Sequence, residues 1–384
     1  MIRFSTLALI LLGTTPLLAQ EVQQVDGPPL WGSDLRTVEE VRIGDREEEE
    51  YLFGRIAAVA VTDNGNIWVG DDSVPIIRLY DAQGEYIRDV GAAGEGPGEY
   101  NRIMGLKRMV DDSVWLFDPR NRRISVFDPD GNFVVAHPVD SGTHSSDAFH
   151  VDGRGNAYVL TMDGEAPRQP NGDPASSLIR VNSRGESEAR VEWPPENQEN
   201  GFVLLSPSGY RKPFFPEIIN AVTAEGVVLR ADNQSYSIDL GHDVRLQRDF
   251  QPIRLDGEER SQWIETARRF EERSGKDYAS RIPRSKPAFR NVRVFGDGRI
   301  WVDVYTEAEY EARSPRADGS RPLEWHERRP VMEVIGSDGT FFGRVPLPED
   351  TYLYEARGEY IWAERELEDG SPIIVRLRIE AAGS

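Results

Sequence analysis

Apolar positions in this chain alternate with polar ones in short runs, and almost every run ends at glycine, aspartate or asparagine. That is the pattern of short β-strands joined by tight turns. One phrase returns along the whole length, a turn followed by an aromatic–aliphatic strand. It reads DNGNIWVGD at 63–71, DDSVWLFDP at 111–119, GRGNAYVLT at 153–161, AEGVVLRAD at 224–232, GDGRIWVDV at 296–304 and ARGEYIWAE at 356–364. A second strand follows each copy: IIRLYDAQG (76–84), ISVFDPDG (124–131), LIRVNSRG (178–185) and VMEVIGSDG (331–339), with shorter forms in YSIDLGHD (236–243) and PIIVRLRIE (372–380). The clear versions end in Asp/Asn/Gly-x-x-Gly, a turn whose last glycine supplies a positive φ.

A third strand leaves each turn, as in EYIRDVG and NFVVAHPV, and one more precedes each phrase: RIAAVAV (55–61), RIMGLKRMV (102–110), DAFHV (147–151), PEIINAV (216–222), FRNVRVF (289–295) and DTYLYEA (350–356). The unit is therefore four short strands, and Trp68, Trp115 and Tyr158 follow one another at about forty-five residues. Four strands at that period predict an all-β fold, a six-bladed β-propeller of four-stranded blades. A β-sandwich also has many short strands, but nothing in it requires one phrase six times.

The sixth copy ends after three strands. LRTVEEVRIG (35–44) stands ahead of the first copy with no unit of its own. It is expected to supply the outer strand of the last blade, which removes two exposed edges. One segment breaks the β pattern. Asp256-Gly257-Glu258-Glu259 resembles a capping box, Trp263, Ile264, Ala267 and Phe270 recur at helical spacing, and Gly275 follows. This predicts a helix over about 257–274 between blades four and five, with its Trp/Phe face on the propeller and Arg268, Arg269 and Arg273 on its polar face. Longer excursions are expected at 162–177 and 308–324.

The first residues add a destination. MIRFSTLALILLGTTPLLAQ has one cation, an apolar run from Leu7 to Leu12 and a small residue at Ala19. This is the layout of a signal peptide over 1–19, ahead of a propeller domain over 34–384, and implies export to the periplasm or beyond. The chain has no cysteine, so the folded protein has no disulfide to hold it. Its formal net charge of −21 argues against a nucleic-acid partner. No later segment is apolar enough to span a membrane.

Gly94-Glu95-Gly96-Pro97-Gly98-Glu99-Tyr100, ahead of a first strand, resembles the connector of NHL-type repeats, and Asn121-Arg122-Arg123-Ile124-Ser125-Val126-Phe127-Asp128 resembles another phrase of those repeats with one extra arginine. The whole chain resembles exported bacterial six-bladed propellers of the NHL and TolB-like groups. The resemblance implies scaffolding or ligand binding. For a minority of such proteins it implies catalysis as lactonases, amidating lyases or sugar dehydrogenases, with a metal or quinone in the channel.

The glycine stretch GAAGEGPGEY (91–100) is not a phosphate loop. A strand follows it instead of a helix, Pro97 removes a donor, and no Gly-Lys-Ser/Thr ending is present. Gly94, Gly96 and Gly98 are expected to let the chain cross from the rim of one blade to the centre of the next. The residues that open the innermost strands should gather at the channel mouth: Arg55, Arg102, Asp147, Glu217, Arg290 and Asp350, with His150 facing the channel. Three guanidinium groups among acids suit a polar or anionic small ligand. The same charges could equally pair with one another around a wet channel. The spacing of His137, His144 and His150 fits no local zinc motif, and Asp128-Pro129-Asp130-Gly131 lacks the downstream acid of a calcium loop.

The expected function is noncatalytic binding of a small ligand or protein partner through the channel mouth and inserted loops, by a monomer without a cofactor. The alternative is a hydrolase or lyase with a divalent metal in the channel.

Overall fold

The computed structural model describes residues 21–139, 149–163, 175–192, 204–206, 209–211, 214–241, 244–255, 257–275, 277–312, 323–327 and 329–382. Six four-stranded antiparallel blades are arranged in sequence order. Blade 1 runs Ile56–Val61, Ile67–Asp71, Ile76–Tyr80, Tyr86–Val90 from centre to rim, and blade 2 runs Gly105–Arg108, Val114–Asp118, Arg123–Phe127, Phe133–Pro138. Blades 3, 4 and 5 begin at Phe149–Val151, Ile218–Val222 and Phe289–Val294, and blade 6 at Tyr352–Arg357.

The burial pattern follows from this stacking. A second strand such as Ile67–Asp71 or Val114–Asp118 is buried at every position, because both its faces meet a neighbouring blade. The outer strand Tyr86–Val90 alternates between buried and exposed instead. The core is accordingly a set of wedges between blades. Ala58, Trp68 and Leu79 of blade 1 pack with Leu106, Leu116 and Phe127 of blade 2, and the Trp68 and Phe127 rings lie 6.1 Å apart.

The ring closes as the sequence predicts. Leu35–Ile43 is the outer strand of blade 6, antiparallel to Pro372–Ala381, with Leu35 opposite Ala381 and Ile43 opposite Ile374. Arg36–Glu380 at 2.9 Å and Arg378–Glu40 at 2.6 Å tie the two ends on the outer face. The chain joins the ring earlier than residue 34, however. Glu21–Gln24 adds a fifth, parallel strand to Val244–Gln247 at the rim of blade 4. From there the backbone N–H groups of Leu30 and Trp31 donate to Phe341 and Phe342 at the rim of blade 5. The first residues thus strap the outside of blades 4, 5 and 6. Trp31 holds the strap down, its ring 5.1 Å from Phe342 with the Arg299 guanidinium 5.0 Å away.

The two faces of the ring differ. On one, the turns between first and second strands and between third and fourth strands span at most five residues. Asp81, Asp128, Asp152 and Asn182 build them alike, each side chain accepting two backbone N–H groups of its own turn. The blade strands that flank the longer connections 139–148, 164–174, 193–217, 248–288 and 305–330 end and begin on the other face.

The helix Gly257–Ser274 lies within one of these connections, and Gly275, at φ 67°, ends it. The predicted N-cap Asp256 lies outside the described residues. The helix face does not meet a blade sheet. Trp263 and Ala267 are buried with Phe214, Phe215, Leu255, Tyr278 and Ile282, a second small core made by the inserted segments themselves, and Tyr305 at the end of a blade 5 strand packs against its edge. Trp and Phe at helical spacing find whichever apolar surface is nearest, and here the connection before blade 4 supplies it.

Candidate site at the two ends of the channel

Each innermost strand runs from the long-loop face to the tight-turn face. Residues that open these strands therefore gather at one mouth of the channel and those that close them at the other. At the long-loop mouth Arg55 and Arg102 meet on one acid. Asp72, in the turn after the second strand of blade 1, lies 2.5 Å from Arg55 and 3.7 Å from Arg102, and it also accepts the Ile103 N–H at 3.1 Å. The Arg55 side chain is largely exposed, so its outer donors face solvent.

Arg290 belongs to a different network. Its Nε is 3.3 Å from Asp303, its guanidinium pairs with Glu327, and it lies 4.6 Å above the Tyr305 ring. Glu327 is shared with Lys286, whose fully buried ammonium lies 2.9 Å from Glu327 and 3.0 Å from the helix residue Glu259 and donates to the Thr306 carbonyl at 2.8 Å. Burial raises the Glu327 carboxyl, but Arg290 and Lys286 more than offset this and hold it below the ordinary glutamate range. Burial pushes Asp303 up, with Arg290 opposing. This buried ladder of charges fastens the inserted helix to the inner strands of blade 5.

Of the remaining mouth residues, Glu217 is placed by its N–H on Asn233 Oδ1 at 2.8 Å, and its charge reaches Tyr305. Asp350 sits exposed at φ 52° and helps to raise Glu366. Asp147 and His144 lie outside the described residues. The structure thus brings Arg55 together with Arg102, and commits Arg290 to Asp303 and Glu327.

His150 lies at the opposite end. It lines a cavity of about 50 Å³ at the tight-turn end of the channel with Lys107, Arg108, Glu355 and Arg357. Arg108 and Arg357 both hold Asp63, at 3.1 and 2.7 Å. Burial raises the Glu355 carboxyl, against the pull of Lys107, Arg357 and Arg108. Nothing local in the sequence marks this group, since its members come from blades 2, 3 and 6. His137 is not part of it. That ring packs on Trp115 with centroids 5.6 Å apart, and burial lowers its pKa. Among the described residues no three His, Asp or Glu side chains are gathered as a metal ion requires.

The glycine stretch and the Asn-Arg phrase form one device. Arg123 donates to the carbonyls of Glu95, Gly96 and Glu99 at 2.9, 2.8 and 2.6 Å, and Asn121 donates to Gly94 O at 2.8 Å. The loop's own N–H groups are taken internally, Gly96 by the Glu99 carboxylate at 2.7 Å and Gly94 by Tyr100 O at 3.1 Å. Gly98 has φ 76°, and a Cβ there would lie 3.1 Å from Phe133 Cβ.

These features place the chain among six-bladed propellers. A family model described as "6-bladed beta-propeller" matches residues 47–161. Among solved structures, the chain is similar to a Bacteroides fragilis protein described, by inference, as exported, with 10% identity and a TM-score of 0.50 over 94% of this chain and 98% of that one. It is similar in the same way to a Bacteroides vulgatus protein of the duf4221 family, with 10% identity and a TM-score of 0.52 over 91% of this chain and 99% of that one. At these identities the likeness extends to the fold alone. No curated protein matches. Among the described residues no helix is long and apolar enough to cross a membrane.

Proposed function

We propose that this is an exported, noncatalytic propeller that binds a polar or anionic small ligand, or a protein surface presenting such a group, at its long-loop face. The observation that carries this reading is the asymmetry of the ring. The blade strands that flank the longer connections end and begin on one face, and a rigid scaffold with loops gathered at one end is the usual architecture of recognition. Arg55, half tied to Asp72 and otherwise exposed, offers donors there, and Arg102 stands beside it. Export is supported by the signal-like residues 1–19 and by the description of the similar Bacteroides fragilis protein.

Thermal melting of the wild type and of Arg102→Ala against a panel of carboxylates, phosphates and acidic sugars tests the reading. At least one ligand should raise the wild-type midpoint and lose that effect in the variant. The unliganded midpoint should change little, because Asp72 keeps Arg55 and the Ile103 N–H. A lower midpoint with no ligand effect in either protein would retire the arginine pair as a site.

A further inference from the structure

The far end of the channel carries a pair of charges that do not meet. Lys107 closes the innermost strand of blade 2, and Glu355 stands near the end of the innermost strand of blade 6. Both side chains line the same cavity of about 50 Å³. Among the described residues no carboxylate lies within ion-pair distance of the Lys107 ammonium and no cation within that distance of the Glu355 carboxylate, although each feels the other's field. Of the charged and titratable neighbours, His150 lines the same cavity from blade 3, and the two arginines are committed to other groups. Arg108 is shared between Asp63 at 3.1 Å and Asp112 at 3.6 Å, and Arg357 lies 2.7 Å from Asp63 and donates to the Thr62 carbonyl at 3.1 Å. Asp297 faces Glu355 from blade 5 and adds to its reluctance to ionise.

Half-buried charges of opposite sign normally collapse onto each other, since each otherwise gives up hydration without a partner. Here the β-strands hold them apart across a polar gap. A water fills roughly 10–15 Å³ on this measure, so the gap has room for several waters or for one molecule of a handful of heavy atoms. The chemistry of its two ends specifies that molecule. Lys107 calls for negative charge. Glu355, whose ionisation burial and Asp297 oppose, presents when protonated an O–H that donates to an oxygen of the same molecule.

We propose that the tight-turn end of the channel binds one small oxyanion, of the size of phosphate or acetate, between the Lys107 ammonium and the Glu355 carboxyl. Binding is coupled to uptake of one proton, because an ionised Glu355 repels the anion and a neutral one grips it. The site lies at the opposite mouth from Arg55 and Arg102 and does not depend on the loop-face reading.

Calorimetric titration of the full chain with sodium phosphate and, separately, sodium acetate tests this. Titrations in two buffers of different ionisation enthalpy, from mildly acidic to mildly alkaline pH, count the protons. At least one anion should bind saturably, more tightly as pH falls, with net proton uptake, and the two arms decide between a phosphate and a carboxylate site. Lys107→Met should weaken binding by about tenfold or more while folding normally, since Lys107 holds no partner. Glu355→Gln, whose amide always donates, should bind at alkaline pH as the wild type does at acid pH, with the linked proton uptake gone. Arg102→Ala should bind as the wild type does. No saturable binding of either anion, unchanged binding in Lys107→Met, or proton uptake persisting in Glu355→Gln would each overturn the proposal.

Discussion

The phenol oxygen of Tyr354 lies 2.9 Å from a carboxylate oxygen of Glu364 and 2.8 Å from the carbonyl of Ile56, and it has one proton to give. Both contacts are satisfied at once if Glu364 is protonated and donates to Tyr354, which donates on to Ile56. Burial pushes the Glu364 carboxyl to about 7, the Tyr354 hydroxyl opposes this, and Glu366 adds to the rise. In the protonated form the relay runs from blade 6 to the first residue of the innermost strand of blade 1, across the seam between these blades.

Stability should follow that proton. The folded pKa is raised, so the contribution is complete below the ordinary value of 4.5 and is lost as pH rises through about 7. The loss is on the order of 3 kcal/mol for a shift of this size. Urea unfolding at mildly acidic and at alkaline pH reads it. Glu364→Gln should flatten the dependence and be the more stable protein at alkaline pH.

Lys286→Met should be among the most damaging single changes. It removes the fully buried cation shared by Glu259 and Glu327 and leaves Glu327 with Arg290 as its one ion-pair partner among the described residues. The expected loss is roughly 3–5 kcal/mol. Because the lysine fastens the helix Gly257–Ser274, limited proteolysis should cut the inserted segment before the blades. Cleavage of ring and insert at the same rate would show that the ladder does not hold the helix.

Arg123→Lys should destabilise by about 1–3 kcal/mol, since one ammonium cannot reproduce a guanidinium fork that reaches Glu95, Gly96 and Glu99. Thermal melting measures the change. Gly98→Val should also lower the midpoint, through its φ of 76° and the contact with Phe133. Neither wild type nor variant should bind ATP or NAD saturably, because the Gly94, Gly96 and Glu99 N–H groups are already taken within the loop.

Trp31→Ala tests the strap. The ring is half-buried against Phe342 and Trp301, so its loss should cost about 2 kcal/mol, less than a fully buried tryptophan. Deleting residues 21–44 should cost far more, since it bares the edges of Pro372–Ala381 and Val244–Gln247 together. Equal melting of the deleted and full-length proteins would contradict the closure seen here.

The ring could be read in advance because each blade repeats one phrase, and the closing strand could be read because Leu35, Val41 and Ile43 point their apolar sides inward. Glu21–Gln24 could not. EVQQ has no alternation, and its partner strand begins at Val244. The same limit governs the sites. Arg55 and Arg102 open strands of adjacent blades and could be placed at one mouth from the repeat alone. Asp72, their common partner, looked like any turn aspartate. Lys107 and Glu355 belong to strands at opposite ends of the sequence, and only the curvature of the ring makes them face each other. Arg290 opens its strand in register with the other arginines, yet the inserted loops reach it first with Glu327.

Closing the ring with its own first strand also sets an order of events during biosynthesis. Ribosomes and export channels release a chain amino end first, so Leu35–Ile43 emerges before any residue it will pair with. Its partner, Pro372–Ala381, follows only after the strands of the five intervening blades. For the whole of that interval five blades can form while the sixth waits, with an apolar strand edge open at each end of the growing arc. The window ends only when Pro372–Ala381 has emerged, and until then each half-made molecule presents the surface on which two such molecules would stick together.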